Sequence, residues 1–283
     1  MTPARRPILR WLGGKFRIAP WIIAQFPPHR SYVEPFVGAG SVLLRKPPAY
    51  NELINDLDGE IVNLFHVLRS GDAPALIESL RLTPYAKAEY DLAFEVADDP
   101  IERARRMIVR SHFSHGTNAG RLDRRPGFRS NGTSCTTNVG GEWADFPDAL
   151  EVIVRRLRKV VIHQRPALDL IRLFDNEKVL MYLDPPYLPT TRSRKAKQAE
   201  GYHAYSHEMT EADHAEFLGV IRESRAMIAL SGYRSDLYLD ALSDWDLRTR
   251  PSRAHNNAPR EECLWLNPLA ASRAPAIAML PGV

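Results

Sequence analysis

The chain has 283 residues, 44% of them hydrophobic and 25% charged, with a formal net charge of +4. Such a composition suits a globular protein with a sizeable buried core and excludes collagen-like, low-complexity and disulfide-framework chains. No apolar stretch is long enough to span a bilayer, no apolar signal core follows the basic N-terminus, and the two cysteines, Cys135 and Cys263, lack metal-ligand spacing, so a cytoplasmic enzyme or binding protein is expected.

Leu9-Arg10-Trp11-Leu12-Gly13-Gly14-Lys15 leads into Phe16 to Ile23 and reads as a glycine turn opening an amphipathic helix. Gly13 and Gly14 permit a close backbone approach, and Lys15 stands where a carboxylate or phosphate could meet it. Next, Ser31-Tyr32-Val33-Glu34-Pro35-Phe36-Val37-Gly38-Ala39-Gly40-Ser41 reads as a short strand, a Gly-x-Gly turn and a helix starting near Ser41. This is the first strand-to-helix turn of a nucleotide-binding sheet, although the third glycine of the dinucleotide fingerprint is absent, which disfavours an NAD-dependent oxidoreductase. Ala49 to Asp56 is expected to be a second strand, ending on an acid placed to accept from ribose hydroxyls. Asp56 also suits a helix N-cap, but Asp58 serves equally for the helix bearing Ile61, Leu64, Phe65 and Leu68.

After Gly71 the pattern changes. Helices are expected over Tyr85 to Val96 and Ile101 to His112, followed by a Gly/Asn/Ser/Thr/Arg-rich segment from Ser114 to Trp143. Between Arg103 and Arg129 eight arginines face one acid, Asp123. Basic segments interrupted by small polar residues suit a phosphate backbone, and Arg110, Arg121, Arg124, Arg125, Arg129 and Asn131 are the contact candidates here. A helix from Ala149 to Leu157 returns the chain to the sheet through Lys159 to His163, and Asp169 falls shortly before the next strand.

The apolar run Val179 to Leu183 then delivers Asp184-Pro185-Pro186-Tyr187. Two prolines without N–H groups make a stiff turn with bare carbonyls. A carboxylate and a proline carbonyl can both accept from one amino group, while the neighbouring tyrosine ring can stack on a flat ring, so the stretch suits a planar, amino-bearing base. A second basic cluster, Arg192, Arg194, Lys195 and Lys197, follows directly. Thr210 and Asp213 have capping-box spacing before a helix with His214, Phe217, Leu218 and Ile221 on one face. Ala226 to Ser231 is a buried strand closed by Gly232-Tyr233, and Trp245 to Arg248 with Glu262 to Leu266 is a closing strand pair.

With Trp11-x-Gly13-Gly14-Lys15, Glu34-Pro35-Phe36-x-Gly38-x-Gly40-Ser41, Asn55-Asp56 and Asp184-Pro185-Pro186-Tyr187 in this order, the chain resembles the Dam-type, α-group DNA adenine-N6 methyltransferases. The resemblance implies an α/β fold: a Rossmann-like methyltransferase sheet over residues 1–70 and 158–271, an inserted, mainly helical target-recognition subdomain over 71–157, and a tail over 272–283. It implies S-adenosyl-L-methionine as cofactor, with Trp11 and Lys15 at its methionine end, Glu34, Phe36, Gly38 and Gly40 around it, Asp56 on its ribose and Asp184 beside the sulfonium. Asp169 would lie near the cofactor's adenine, although the preceding Arg165-Pro166-Ala167-Leu168 departs from the family's usual Asp-Phe pattern. Asp184, Pro185, Pro186 and Tyr187 would act on an adenine flipped from double-stranded DNA, with no metal. An RNA adenine, cytosine N4 and a catalytically inactive nucleic-acid-binding module stay open as alternatives, as do the recognition sequence, a cognate restriction endonuclease and a monomer or weak dimer.

Overall fold

The computed structural model describes residues 4–11, 13–116, 122, 125–130, 138–188, 207–253 and 259–275. The chain divides into two compact units, one made of Met1–Ala19, Gly38–Pro48 and Asp58–Gln164, the other of Pro20–Val37, Ala49–Leu57 and Arg165–Val283.

Six strands of the seven-stranded sheet belong to the second unit: β1 (Ser31–Glu34), β2 (Asn51–Asn55), β4 (Val179–Leu183), β5 (Met227–Gly232), β6 (Asp246–Arg253) and β7 (Pro259–Leu266), ordered β2-β1-β4-β5-β7-β6. The seventh, β3 (Val160–His163), falls in the first unit. β2, β1, β4 and β5 run parallel, whereas β7 is antiparallel to both β5 and β6. Every residue of β4 and β5 is buried, which is why both read as unbroken apolar runs rather than alternating ones. Val33, Leu53, Met181, Leu183, Ile228, Leu230 and Trp265 supply the sheet's share of the core.

Helices cover this core. α9 (Ala167–Leu173) contributes Leu170 and Ile171, and α10 (Glu211–Glu223) buries His214, Phe217, Leu218 and Ile221, the face expected from their spacing. The expected capping box of α10 is formed: Thr210 Oγ1 accepts from the Asp213 N–H at 3.2 Å and the Asp213 carboxylate accepts from the Thr210 N–H at 2.7 Å. Short helices α1 (Ala19–Ala24), α11 (Asp236–Ala241) and α12 (Pro268–Arg273) complete the set, the last beginning on an Asn267 cap.

The first unit is helical: α2 (Ser41–Arg45), α3 (Gly59–Arg69), α4 (Ala73–Leu82), α5 (Lys87–Leu92), α6 (Pro100–Phe113), α7 (Val139–Ala144) and α8 (Phe146–Leu157). α3 packs against α4, α6 and α8. The expected insertion over 71–157 lies wholly inside this unit, which also takes in the N-terminal residues, the glycine turn and α3. Within this unit, Phe65 of α3 sits against Gly40, and Arg156 of α8 donates to the Leu43 carbonyl at 2.9 Å. α4 and α9 escape the sequence patterns, and the helix expected over Tyr85 to Val96 is only α5, starting late because Ala86 is extended at φ −129 and ψ 148 and ending at Leu92. Among the described residues no helix is long and apolar enough to cross a membrane.

Candidate active site

Parallel register brings three expected site residues to one end of the sheet. Val33 of β1 aligns with Leu53 of β2 and Met181 of β4, so Phe36, Asp56 and Asp184 stand three positions beyond a shared level, at the carboxyl ends of adjacent strands. Neighbouring strands lie about 4.8 Å apart, which sets the Asp56 and Asp184 backbones on the order of 10 Å from each other. Two carboxylates at that separation can engage two parts of one extended ligand.

Asn55 ties these loops together. It is fully buried, donates from Nδ2 to the Pro35 carbonyl at 2.9 Å and the Arg165 carbonyl at 3.0 Å, and accepts at Oδ1 from the Arg165 N–H at 3.0 Å. The Val37 N–H donates to the Asn55 carbonyl at 2.9 Å. Asn55 thus fixes the turn after β1 and the start of α9, a role the Asn55-Asp56 pair in the sequence did not disclose. Asp58, not Asp56, caps α3 by accepting from the Glu60 N–H at 2.9 Å, so Asp56 is not consumed by the cap. Glu34 is buried at the end of β1 and accepts from the Tyr32 hydroxyl at 2.9 Å; burial first, and then the Glu34 charge, raise the Tyr32 phenol well above its ordinary range. Phe36 rests edge-on against Phe217 of α10, with centroids 5.9 Å apart. Asp169 stands exposed on the first turn of α9 with Arg172 at 3.7 Å.

At the end of β4 the Tyr187 hydroxyl donates to Asp184 Oδ1 at 3.1 Å. Pro185 and Tyr187 are buried, while Asp184 and Pro186 are half-buried. The Asp184 charge is felt around it: Tyr182 and Tyr238 are both raised by burial first and by Asp184 second. Tyr233, just past β5, packs against Tyr187 with centroids 4.6 Å apart and planes inclined by 60°. In the sequence Tyr233 only closed a strand, since nothing local announces the pairing.

The first unit holds the other expected cofactor residues. Gly38 and Gly40 adopt left-handed φ of 47 and 64, which L side chains rarely do. A Cβ on Gly38 would lie 3.1 Å from Trp11 Nε1, so this glycine brings the turn against the indole. Lys15 is buried and donates to the Gly13 carbonyl at 2.7 Å. Trp11 and Gly38 are therefore in contact, and the space beside each glycine is filled by its neighbours, Trp11 at Gly38 and Phe65 at Gly40.

The basic cluster divides on inspection. Arg103 pairs with Glu60 at 2.5 Å; Arg105 and Arg106 pair with Glu102, both at 2.6 Å, and Arg105 also with Glu89 at 2.8 Å. Arg110 is 1% exposed and donates to the Ala93 carbonyl at 2.5 Å, with burial lowering its guanidinium to about 10. The expectation that Arg110 touches phosphate is thereby corrected: α6 turns it into the helical interior. Arg125 is exposed, pairs with Asp91 and lies over the Phe94 ring at 5.3 Å; Arg129 pairs with Glu142 at 2.9 Å. Arg10, unremarked in the sequence, is lowered chiefly by burial and then by Arg129, and donates to the Ser114 carbonyl at 3.5 Å. Arg121, Arg124, Asn131, Arg192, Arg194, Lys195 and Lys197 lie outside the described residues.

A family model described as D12 class N6 adenine-specific DNA methyltransferase matches residues 11–244. The chain is 24% identical over 277 residues to a DNA adenine methylase of Salmonella typhimurium, covering 91% of this chain and 92% of that protein. A DNA adenine methylase of Escherichia coli (strain K12) is 23% identical over 245 residues, covering 81% of each chain. One from Haemophilus influenzae is 38% identical over 65 residues, 23% of this chain and 22% of its own.

Proposed function

The chain belongs to the D12 class N6 adenine-specific DNA methyltransferases, and from that premise we propose that it transfers a methyl group from S-adenosyl-L-methionine to the N6 amino group of an adenine flipped out of duplex DNA, with Asp184 as the catalytic carboxylate. The single observation carrying this reading is the Asp184 carboxylate at the end of a buried parallel strand, followed by two prolines and held by the Tyr187 hydroxyl.

Adenine's amino nitrogen is a poor nucleophile because its lone pair is delocalised into the ring. The Asp184 carboxylate and the Pro185 carbonyl accept hydrogen bonds from its two N–H groups, which draws the nitrogen toward tetrahedral geometry and frees the lone pair for attack, and one proton passes to Asp184 as the nitrogen gains the methyl group. Pro185 has no N–H to compete for that position, and the Pro185-Pro186 turn keeps both acceptors fixed. Bound S-adenosyl-L-methionine supplies an electrophilic methyl group on a sulfonium. Asp56 would accept from its ribose hydroxyls, Trp11 and Lys15 would hold its methionine end, and Glu34, Phe36, Gly38, Gly40 and Asp169 would complete its surroundings. No covalent bond to the protein is required.

A base stacked in a duplex cannot reach two acceptors at the end of a sheet, so it must be extruded, with Tyr187 stacking on it. Extrusion costs a few kcal/mol, offset by phosphate contacts from the basic residues, of which Arg125 and Arg129 are described and Arg121, Arg124, Asn131, Arg192, Arg194, Lys195 and Lys197 are not. The test is product identity. The purified protein, methyl-tritiated S-adenosyl-L-methionine and adenine-unmethylated genomic DNA should give label in N6-methyldeoxyadenosine after digestion to nucleosides. Label in N4-methyldeoxycytidine, or label only in a parallel arm containing RNA, overturns the reading.

A further inference from the structure

The antiparallel register of β5 and β7 sets Gly232 opposite Cys263, which brings the next residue of one strand, Tyr233, across from the preceding residue of the other, Glu262. The Tyr233 hydroxyl donates to Glu262 Oε1 at 3.3 Å, and Ser252 Oγ reaches the same oxygen at 3.4 Å. Glu262 Oε2 is buried and has no hydrogen-bond partner among the described residues, and no cation pairs with this carboxylate there. Glu262 is half-buried, and an acceptor oxygen shut away from water with no hydrogen-bond partner is costly. The Tyr233 ring that Glu262 anchors lies 4.6 Å from Tyr187, whose hydroxyl donates to Asp184 at 3.1 Å.

We infer that Glu262 and Tyr233 are positioning residues, which anchor the Tyr233 ring to β7 so that it sets the plane of Tyr187 and, through the Tyr187 hydroxyl, the orientation of the Asp184 carboxylate. The hydrogen bond ties the hydroxyl end of the Tyr233 ring to β7, so the anchor restricts the ring more than packing alone. Inclined aromatic pairs at this separation are favoured by the ring quadrupoles, which transmits the restriction to Tyr187. The inference rests on the methyl-transfer reading above.

The experiment compares wild type with Tyr233→Phe, Glu262→Leu, Glu262→Gln and the double variant Tyr233→Phe/Glu262→Leu. It measures kcat and KM on adenine-unmethylated genomic DNA, S-adenosyl-L-methionine affinity by calorimetry, and Tm. Tyr233→Phe and Glu262→Leu should each lower kcat about tenfold, with KM and cofactor affinity within about twofold of wild type. Glu262→Gln, whose amide oxygen still accepts the hydroxyl proton, should retain about half of the wild-type kcat or more. The double variant should be no slower than the slower single, because both changes cut one link. Additive losses, wild-type rates in both single variants, or losses that follow Tm and cofactor affinity each overturn the inference while leaving the methyl-transfer reading intact. A wild-type protein that transfers no methyl group overturns that reading, and this inference with it.

Discussion

Gly40 shows how far single residues could be read in advance. The Gly-x-Gly turn was legible because glycine adopts a φ of 64 that most L side chains avoid, yet what the missing side chain makes room for was not: a Cβ there would stand 2.9 Å from the Phe65 ring. Gly40→Ala should therefore lower stability by about 1–3 kcal/mol, read from the urea midpoint, and an unchanged midpoint would contradict the tight packing. The Asp184-Pro185-Pro186-Tyr187 stretch was similarly plain, since its chemistry is carried by adjacent residues. Tyr233 and Asn55 were not, because each works through partners far along the chain: Asn55 through Arg165, and Tyr233 through Tyr187 and Glu262.

Elements were recovered wherever periodicity and caps agreed, as in α10 and the buried strands β4 and β5, and missed where they were short or lacked a side-chain cap, as in α4 and α9. α6 is the instructive case. Its arginines read as a basic face, but its fold turns Arg105 and Arg110 inward and uses the neighbouring glutamates as their partners or their neighbours' partners. Count and spacing could not reveal this, because burial is decided by the helices packed around α6. The same helix carries His112, whose Nε2 meets the Ile8 carbonyl at 2.9 Å and whose ring lies 4.2 Å from Phe146 of α8. Burial pushes this imidazole down to about 4 from an ordinary value of 6.5, so the unfolded chain takes up the proton first as pH falls. Its contribution is fully present above about pH 6.5 and is lost progressively toward pH 4. Urea midpoints measured between those values should fall with pH in the wild type and fall less steeply in His112→Phe; equal slopes would show that His112 is not the titrating group.

For the whole molecule, a net charge of +4 gives only a mild attraction to nucleic acid, so placement of the cations matters more than their number. Exposed Arg125 and buried Arg110 make opposite predictions. Arg125→Ala should reduce the slope of log affinity for duplex DNA against log salt by about 1, whereas Arg110→Met should leave it unchanged; the reverse pattern would contradict the assignment. The fold class was legible because alternating strands and helices with glycine turns leave few arrangements, but the grouping of the N-terminal turn and α3 with the helical unit was not, since it depends on contacts such as Arg156 to Leu43. The central proposal, that one carboxylate at the end of β4 accepts an amino proton during methyl transfer, is tested most directly by single-turnover transfer from tritiated S-adenosyl-L-methionine to adenine-unmethylated duplex DNA, comparing wild type with Asp184→Ala alongside cofactor affinity. A rate lowered by about a thousandfold or more with cofactor binding largely intact is the predicted result, and wild-type turnover in the variant would contradict it.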